Sequence, residues 1–159
     1  MDESRVGGSS GGRLLSRNEF KDGVFRRDSN RCVRCGCPAA DAHHLLERRL
    51  FSNGGYYLAN GVSLCSACHL DAERTHVSPR ELRALAGIAV RVLPAGFPED
   101  RHYDKWGNPY LKDGRRQRGP LFHEEAVQKV LRESGFLSEF AWEIPVADFS
   151  SGRSSAGQG

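Results

Sequence analysis

Two Cys-x-x-Cys pairs constrain the fold of this chain more than any other feature of its sequence. Cys32 and Cys35 form the first pair, Cys65 and Cys68 form the second, and 29 residues lie between the pairs. Each pair makes a tight turn that directs two thiolates toward one point, and two such turns together form a tetrahedral zinc site. The spacing therefore predicts a closed, structural Zn²⁺ site that joins two distant segments of the chain.

Cys37 leaves the first turn ambiguous, because Cys32, Cys35 and Cys37 compete for two ligand positions. The two-residue spacing is the usual one for zinc, so Cys37 is interpreted as a free thiol or a reserve ligand. Disulfides would be another use of five cysteines, but the odd number and the lack of an N-terminal apolar run argue against secretion. No run of 18 apolar residues is present that could cross a membrane. We therefore expect a cytoplasmic protein with reduced thiols.

Composition predicts a small domain with a modest core. Of 159 residues, 38% are hydrophobic and 27% are charged, so a bound metal would supply stability that the core alone does not. The net charge of +3 does not by itself indicate a nucleic-acid partner. Arginine makes up 19 of the 23 basic residues and suits phosphate oxygens, although a GC-rich genome would give the same bias. Arg48 and Arg49 are the candidate nucleic-acid contacts, and a solvated loop explains them almost as well.

The chain divides by composition into four parts. Residues 1–12 and 150–159 are rich in glycine and serine and are predicted to be disordered and linker-like. Residues 13–86 hold the cysteine and histidine motifs, and residues 87–149 form a C-terminal extension. The predicted fold class is α+β, with a small metal-binding module held together by the four cysteines and followed by a helix and hairpin extension.

Local patterns predict two elements directly after the motifs. Ser78-Pro79-Arg80-Glu81 is a capping box with proline at the first helical position, which predicts a helix from Pro79 to about Ala86. Gly87 is expected to end that helix. Alternating apolar residues over 88–92 predict a strand.

The rest of the extension shows turn signals and one helical pattern. Turn residues at 106–109 and 112–115 flank a short apolar pair, which predicts a small irregular hairpin. The apolar spacing over residues 121–133 predicts an amphipathic helix that Gly135 ends. Trp106, Tyr103 and Tyr110 could stack on nucleic-acid bases, although such residues more often belong to the core of a small hairpin.

A second group of metal-ligating residues lies beside the cysteine pairs. His69 follows the second pair directly, and no helix breaker occurs from Ser66 to about Thr75. His69 and Glu73 therefore lie four residues apart on one face of a predicted helix. This is the arrangement by which one helix offers two ligands to one ion.

An adjacent histidine pair and an asparagine complete this group. In a strand, His43 and His44 would point to opposite faces, so one could bind a metal while its neighbour meets the substrate. Taken alone, each could equally be a core histidine. Asn60 precedes a glycine, and that dipeptide alone is typical of a hairpin turn. The order of these residues along the chain, rather than any one of them, indicates a functional site.

That order, His-His, Asn and then Cys-x-x-Cys-His between cysteine pairs, resembles the HNH endonucleases, whose fold is the ββα-metal fold. The similarity covers roughly residues 30–76 and is close both to the bacteriocin DNases and to the zinc-knuckle HNH proteins of phages and bacteria. It implies a bacterial or phage-encoded enzyme that hydrolyses phosphodiester bonds, with DNA as the expected substrate. The matching residues are His43, His44, Asn60, His69 and, one helical turn further, Glu73.

The resemblance implies a role for each matching residue. His44 is the expected general base, since a neutral imidazole can take a proton from water at cellular pH. His43, His69 and Glu73 are the expected ligands of a catalytic Mg²⁺ or Mn²⁺. Asn60 is expected to tie down the loop that aims the base.

Glu73 departs from the His or Asn that is more usual at this position. His76, one turn beyond, is therefore a rival ligand, although the four-residue spacing from His69 favours Glu73. A carboxylate is a harder ligand than imidazole, which favours Mg²⁺ or Mn²⁺ over softer ions. His102 and His123 lie outside this group and are interpreted as incidental.

Two other functions are compatible with the same sequence. A nucleic-acid-binding module held together by zinc would share the cysteines and need no catalysis, but it would not need the histidines and Asn60. An accessory protein of a phage or defence system would use the C-terminal segment to bind a partner. The sequence does not indicate an oligomeric state.

Overall fold

The structure, a computed structural model, describes residues 12–149. The two predicted disordered ends therefore lie outside the described residues, except for the exposed Gly12. The described part is a small α+β fold with one two-stranded sheet and four α-helices, and none of these helices is long and apolar enough to span a membrane. Its elements are α1 (Arg17–Arg27), β1 (Asp41–His44), β2 (Gly61–Leu64), α2 (Ser66–Glu73), α3 (Pro79–Ala86) and α4 (Glu125–Glu133).

The sheet is an antiparallel pair in which every residue of β2 is buried. His43 pairs with Val62, and His44 pairs with Gly61. Val62 and Leu64 point into a core that they share with α2 and α3, whereas Gly61 and Ser63 point toward α1. Strand β2 is therefore covered on both faces, which explains why it shows no alternation of apolar and polar residues.

Helix α1 was not predicted, although its start carries a local signal. Ser16 and Glu19 form a complete capping box, with the Ser16 side chain accepting from the Glu19 amide. Phe20 and Val24 are the buried residues of this helix. They pack so closely on Gly61 that a Cβ atom there would come within 2.4 Å of the Phe20 ring. Gly61 is thus required by this close approach rather than by a hairpin turn.

Helix α3 confirms the prediction at both ends. It runs from Pro79 to Ala86, and the Ser78 hydroxyl accepts from the Glu81 amide at 3.1 Å while Glu81 accepts from the Ser78 amide at 2.8 Å. Gly87 ends the helix in the left-handed conformation, with a φ of 72°.

The strand predicted over residues 88–92 is wrong. Val90 and Val92 would share one face of a strand, yet Val92 is buried and Val90 is exposed, and this part of the described chain has no neighbouring strand. A strand must satisfy its backbone by pairing, so the segment is irregular instead. The Arg91 guanidinium crosses from it to donate hydrogen bonds to the carbonyls of Glu99 and Arg101.

The other predictions for the extension are confirmed in outline. Two consecutive turns form the irregular hairpin, and single bridges close them at Tyr103–Pro109 and Tyr110–Arg116. Helix α4 ends before Gly135 as expected but begins at Glu125, later than the predicted 121. Glu124 takes the N-cap position with extended backbone, and its carboxylate forms an ion pair with Arg49.

Apolar clusters join the extension to the rest of the chain. One cluster combines Leu46 and Phe51 with Val92, Phe97 and Tyr103. A further cluster lies around α4 and is formed by Trp106, Leu121, Phe122, Val127, Leu131 and Phe140. The extension is therefore packed against the loop that follows β1.

A buried ion pair anchors the first turn of the hairpin. Arg116 donates to Asp104 at 2.8 Å and to the Thr75 hydroxyl at 3.0 Å, and its guanidinium lies 4.5 Å from the centre of the Phe136 ring. The side chains of Arg116 and Asp104 are 3% and 0% exposed, so solvent screens the pair very little. The amide of Trp106 also donates to Asp104.

Replacing Arg116 by alanine is expected to lower the free energy of unfolding by about 3 kcal/mol, because it leaves the Asp104 carboxylate buried without its cation. Urea unfolding followed by circular dichroism measures the change. The matched control is Arg115→Ala, which removes a neighbouring exposed guanidinium and should leave the midpoint unchanged. Equal midpoints for both variants would contradict a structural role for the pair.

Candidate metal centres

The four paired cysteines meet at one point, as their spacing predicts. Their sulfur atoms all lie within 4.8 Å of one another, and the Sγ atoms of Cys35 and Cys65 are 3.6 Å apart. A tetrahedral zinc ion with Zn–S bonds of about 2.3 Å needs sulfur atoms about 3.8 Å apart. The cluster of Cys32, Cys35, Cys65 and Cys68 can therefore hold a metal ion and is compatible with structural zinc.

Local structure positions both pairs. Cys65 is the N-cap of α2, and its sulfur accepts from the Cys68 amide at 3.4 Å. The first pair lies beside β2 because the Val33 amide donates to the Ser63 carbonyl at 3.0 Å. The sheet and α2 thus bring together two turns that are distant in sequence.

Two of the four thiols, those of Cys32 and Cys68, have pKa values shifted in opposite directions. Burial raises the pKa of Cys68 to about 12, together with hydrogen bonds from the neighbouring thiols. Burial acts in the same direction on Cys32, but backbone amides outweigh it and lower the pKa of that thiol to about 6. Arg34, which pairs with Asp71 at 2.7 Å, also lies near Cys68 and offsets part of the negative charge that four thiolates would carry.

Cys37 lies outside this arrangement. It is exposed, and its sulfur belongs to neither group of converging ligand atoms in residues 12–149. Its backbone carbonyl accepts from the Cys32 amide at 2.7 Å, so the residue helps to close the first turn through its main chain.

A second group of ligand atoms is formed by His43, His69 and Glu73. The Glu73 Oε2 atom lies 3.5 Å from His43 Nδ1 and 3.4 Å from His69 Nε2, and the three ligand atoms lie within 4.8 Å. His43 is buried, and its Nδ1 atom has no hydrogen-bond partner among the described residues. A buried nitrogen without a partner is unfavourable in a folded protein, which makes it a suitable metal ligand.

His76, the rival of Glu73, points elsewhere. Its Nδ1 atom lies 3.6 Å from Asp71, and its ring packs edge-on against Phe136. The geometry therefore favours Glu73 as the third member of the group.

Asp41 orients His69 from the first strand, a contact that the sequence analysis missed. The carboxylate lies 3.1 Å from His69 Nδ1, which leaves Nε2 directed toward Glu73. Hydrogen bonding to Glu73 and, to a smaller extent, to Asp41 raises the pKa of His69. A carboxylate behind a histidine is the usual support of a metal ligand. Asp41 lies two residues before His43 on the same face of β1, so strand periodicity could have revealed it.

Lys105 reaches the same group from the extension. Its side chain is 5% exposed, and its Nζ atom lies 3.4 Å from Glu73 and 3.2 Å from Glu47. It also donates to the His44 carbonyl at 3.2 Å. Burial raises the pKa of Glu73, but the hydrogen bond from His69 and the charge of Lys105 outweigh it, so the carboxylate remains ionised. Nothing in the sequence near Lys105 indicates this contact.

His44 faces away from that group, as expected for neighbours in a strand. Its ring stacks on Phe20 at 4.5 Å and meets Tyr56 edge-on at 4.9 Å. Burial, followed by the charges of Lys105 and Arg48, lowers the pKa of His44 to about 4, so the imidazole is neutral at cellular pH.

A cleft of about 270 Å³ opens beside His44. Three cationic side chains line it, Arg17, Lys21 and Arg48, together with Asp41. Arg48 also donates to the Tyr56 hydroxyl at 3.0 Å. An anionic ligand in this cleft would lie next to the imidazole.

Arg49 is placed differently from Arg48. It forms ion pairs with Glu47 and Glu124 and does not line the cleft beside His44. Its charge is therefore already balanced by carboxylates of the protein.

Asn60 ties the loop after β1 to the start of β2. Its buried amide oxygen accepts from the Leu46 amide at 3.1 Å, and its nitrogen donates to the carbonyls of Leu46 and Gly55 at 3.2 Å. These bonds fix the backbone two residues after His44.

Comparison of the chain with protein-family models, with curated proteins and with solved structures yields no match. A function must therefore be inferred from the arrangement of these side chains.

Replacing Cys65 by serine is expected to remove bound zinc and to unfold much of the chain, because the cluster loses a thiolate while serine can still cap α2. Metal analysis of purified protein should find about one tightly held zinc ion per wild-type chain. Cys37→Ser is the control and should keep the zinc. Equal zinc content in both variants would show that the four-cysteine cluster is not the zinc site.

Proposed function

We propose that this protein is a metal-dependent endonuclease of the HNH type, with the ββα-metal arrangement formed by β1, β2 and α2. It hydrolyses phosphodiester bonds of nucleic acid, with DNA as the expected substrate, in the cytoplasm of a bacterium or a phage-infected cell. One observation carries the proposal. A three-residue ligand group and a neutral histidine beside a cationic cleft occupy opposite faces of one short strand.

The ligand group, two imidazoles and one carboxylate, can hold a divalent metal ion. His43 Nδ1, His69 Nε2 and a Glu73 carboxylate oxygen would hold it, and the distances among these atoms suit metal–ligand bonds of about 2.1 Å. The carboxylate favours Mg²⁺ or Mn²⁺. When bound, such an ion stabilises negative charge that develops on phosphate oxygens and on the leaving group.

His44 is the proposed general base. Its pKa of about 4 keeps the imidazole in the neutral form, which can accept a proton, throughout the physiological range. A general base works best with a pKa near the operating pH, and an anionic phosphate in the cleft would raise the pKa of His44 toward it. Phe20 and Tyr56 hold the ring in place, and Asn60 holds the backbone that follows it. Glu47 is a nearby charge that acts in the opposite direction on this pKa and would stabilise the imidazolium formed after proton transfer.

The cleft beside His44 supplies contacts for the nucleic-acid backbone. Arg17, Lys21 and Arg48 can each meet a phosphate, which positions a strand without reading its sequence. Hydrolysis in this geometry is expected to leave a 5′-phosphate and a 3′-hydroxyl.

Lys105 is the proposed positioning residue for Glu73. By lying between Glu73 and Glu47, its ammonium keeps two neighbouring carboxylates ionised and separated. The extension would thereby take part in catalysis without touching the substrate.

The wild-type protein is expected to nick supercoiled plasmid in the presence of Mg²⁺ or Mn²⁺ and not in EDTA. His44→Ala should lower the rate by about a hundredfold or more, because water then lacks its proton acceptor. Agarose gel electrophoresis of timed samples measures nicking, and His123→Ala, which changes an exposed histidine elsewhere, is the control. Binding of plasmid without metal-dependent nicking would instead identify a nucleic-acid-binding module.

Glu73→Gln is expected to weaken Mn²⁺ binding by at least about tenfold, since the group loses its only anionic ligand. His76→Ala should leave the affinity unchanged, because that side chain points away from the group. Isothermal titration of zinc-loaded protein with Mn²⁺ measures both variants. The reverse result would assign the third ligand to His76.

A further inference from the structure

A cavity of about 760 Å³ lies at the start of α3, and none of the candidate metal ligands lines it. Its walls come from α3 and from both arms of the irregular hairpin. Its volume suits a ligand of about the size of one nucleotide. Charged and aromatic side chains line it, among them Arg80, Glu81, His102, Tyr103, Tyr110 and Lys112.

Cations outnumber carboxylates in this cavity. Arg80, Arg101 and Lys112 line it, against Glu81 and Asp100. The Glu81 carboxylate already caps α3 by accepting from a backbone amide at 2.8 Å. The Glu81 carboxylate is therefore directed at the helix backbone rather than at the cations of the cavity.

Further cationic side chains lie next to the residues that line the cavity. Arg83 and Arg91 lie close enough to His102 to lower its pKa together with Arg80, although burial is the largest cause. Burial, followed by repulsion from Arg91 and Arg80, lowers the pKa of Arg83 to about 10. Several guanidinium groups are therefore held near one another.

Among the described residues, these cations have no carboxylate partner. In residues 12–149, no carboxylate lies within ion-pairing distance of Arg80, Arg83 or Lys112. Arg34 and Arg115, by contrast, each have a carboxylate at 2.9 Å or closer. A concave group of unpaired cations attracts an anion, and a phosphate is the anion that guanidinium groups bind best.

Aromatic rings form the apolar part of the cavity. Tyr110 is half-buried, and its hydroxyl has no hydrogen-bond partner in the part of the chain that the structure describes. The Arg116 guanidinium lies 5.1 Å from the centre of its ring and supports it from within the protein. Tyr103 lies alongside and is fixed by a hydrogen bond from its hydroxyl to the Pro98 carbonyl. A ring held in this way can stack on a nucleobase.

We propose that this cavity binds one nucleotide unit of a nucleic-acid strand, with phosphate at Arg80 and Lys112 and the base against Tyr110. The assignment to a strand rests on the proposed function, since an endonuclease must hold its substrate beyond the bond that it cuts. A nucleic-acid strand and a free nucleotide both offer this chemistry, a phosphate linked through a sugar to a nucleobase.

Binding of a fluorescein-labelled single-stranded DNA oligonucleotide, followed by anisotropy without added Mg²⁺ or Mn²⁺, tests the proposal. The double variant R80A/K112A should bind about tenfold more weakly, and its log–log salt slope should fall by about 0.7 because one phosphate contact is lost. The control K129A/R132A removes the same two charges from exposed positions on α4 and should bind like wild type. Equal affinities of the two double variants would overturn the proposal.

Competition distinguishes the sources of the ligand. The deoxyribonucleotide dAMP should displace the oligonucleotide, whereas inorganic phosphate at the same concentration should not. In Tyr110→Leu, dAMP should displace the oligonucleotide no better than phosphate does. Equal displacement by phosphate overturns the role of the base, and tighter binding of dAMP than of the oligonucleotide overturns the assignment to a strand. Because these measurements report binding alone, failure to nick plasmid would remove the proposed activity and leave this result standing.

Discussion

The antiparallel pairing of β1 with β2 is the constraint on which the rest of the structure depends. It is only four residue pairs long, and a two-stranded sheet of that size is marginal alone in water. Helix α1 covers one face through Phe20 and Val24, and α2 and α3 cover the other. The pairing directs His43 and His44 to opposite faces, so one register determines both the ligand group and the cleft.

Charge balance couples the ligand group of His43, His69 and Glu73 to the remainder of the fold. Glu73 and Glu47 share the ammonium of Lys105. Lys105 lies in the first turn of the hairpin, which the buried ion pair of Asp104 with Arg116 anchors. The Trp106 indole donates to the Glu73 carbonyl at 2.9 Å and joins the same turn to α2. The extension therefore contributes both apolar packing and a positive charge to the region around the ligand group.

Features encoded by short spacings were predictable, and features created by packing were not. The four-cysteine cluster follows from two local turns, and α3 follows from its capping box and Gly87. The strand predicted at residues 88–92 is absent because an alternating sequence does not supply a partner strand, and the described sheet consists of β1 and β2 alone. Lys105 could not be found, since its contacts depend on how a distant turn packs. Helix α1 was overlooked despite the local signal at its first turn.

Because Lys105 is buried against the ligand group, the motif cannot be transferred to another protein without it. Residues 30–76 contain every cysteine and histidine of the two ligand groups, so they look like a unit that could be moved into another scaffold. Transferred alone, however, they would leave Glu47 and Glu73 without their shared cation and would expose Leu46 and Phe51, which pack on the extension. The sequence motif is short, but the interactions that stabilise it come from residues well outside it. Exchange of such a segment between proteins would succeed only where the recipient supplies its own buried positive charge at the same place.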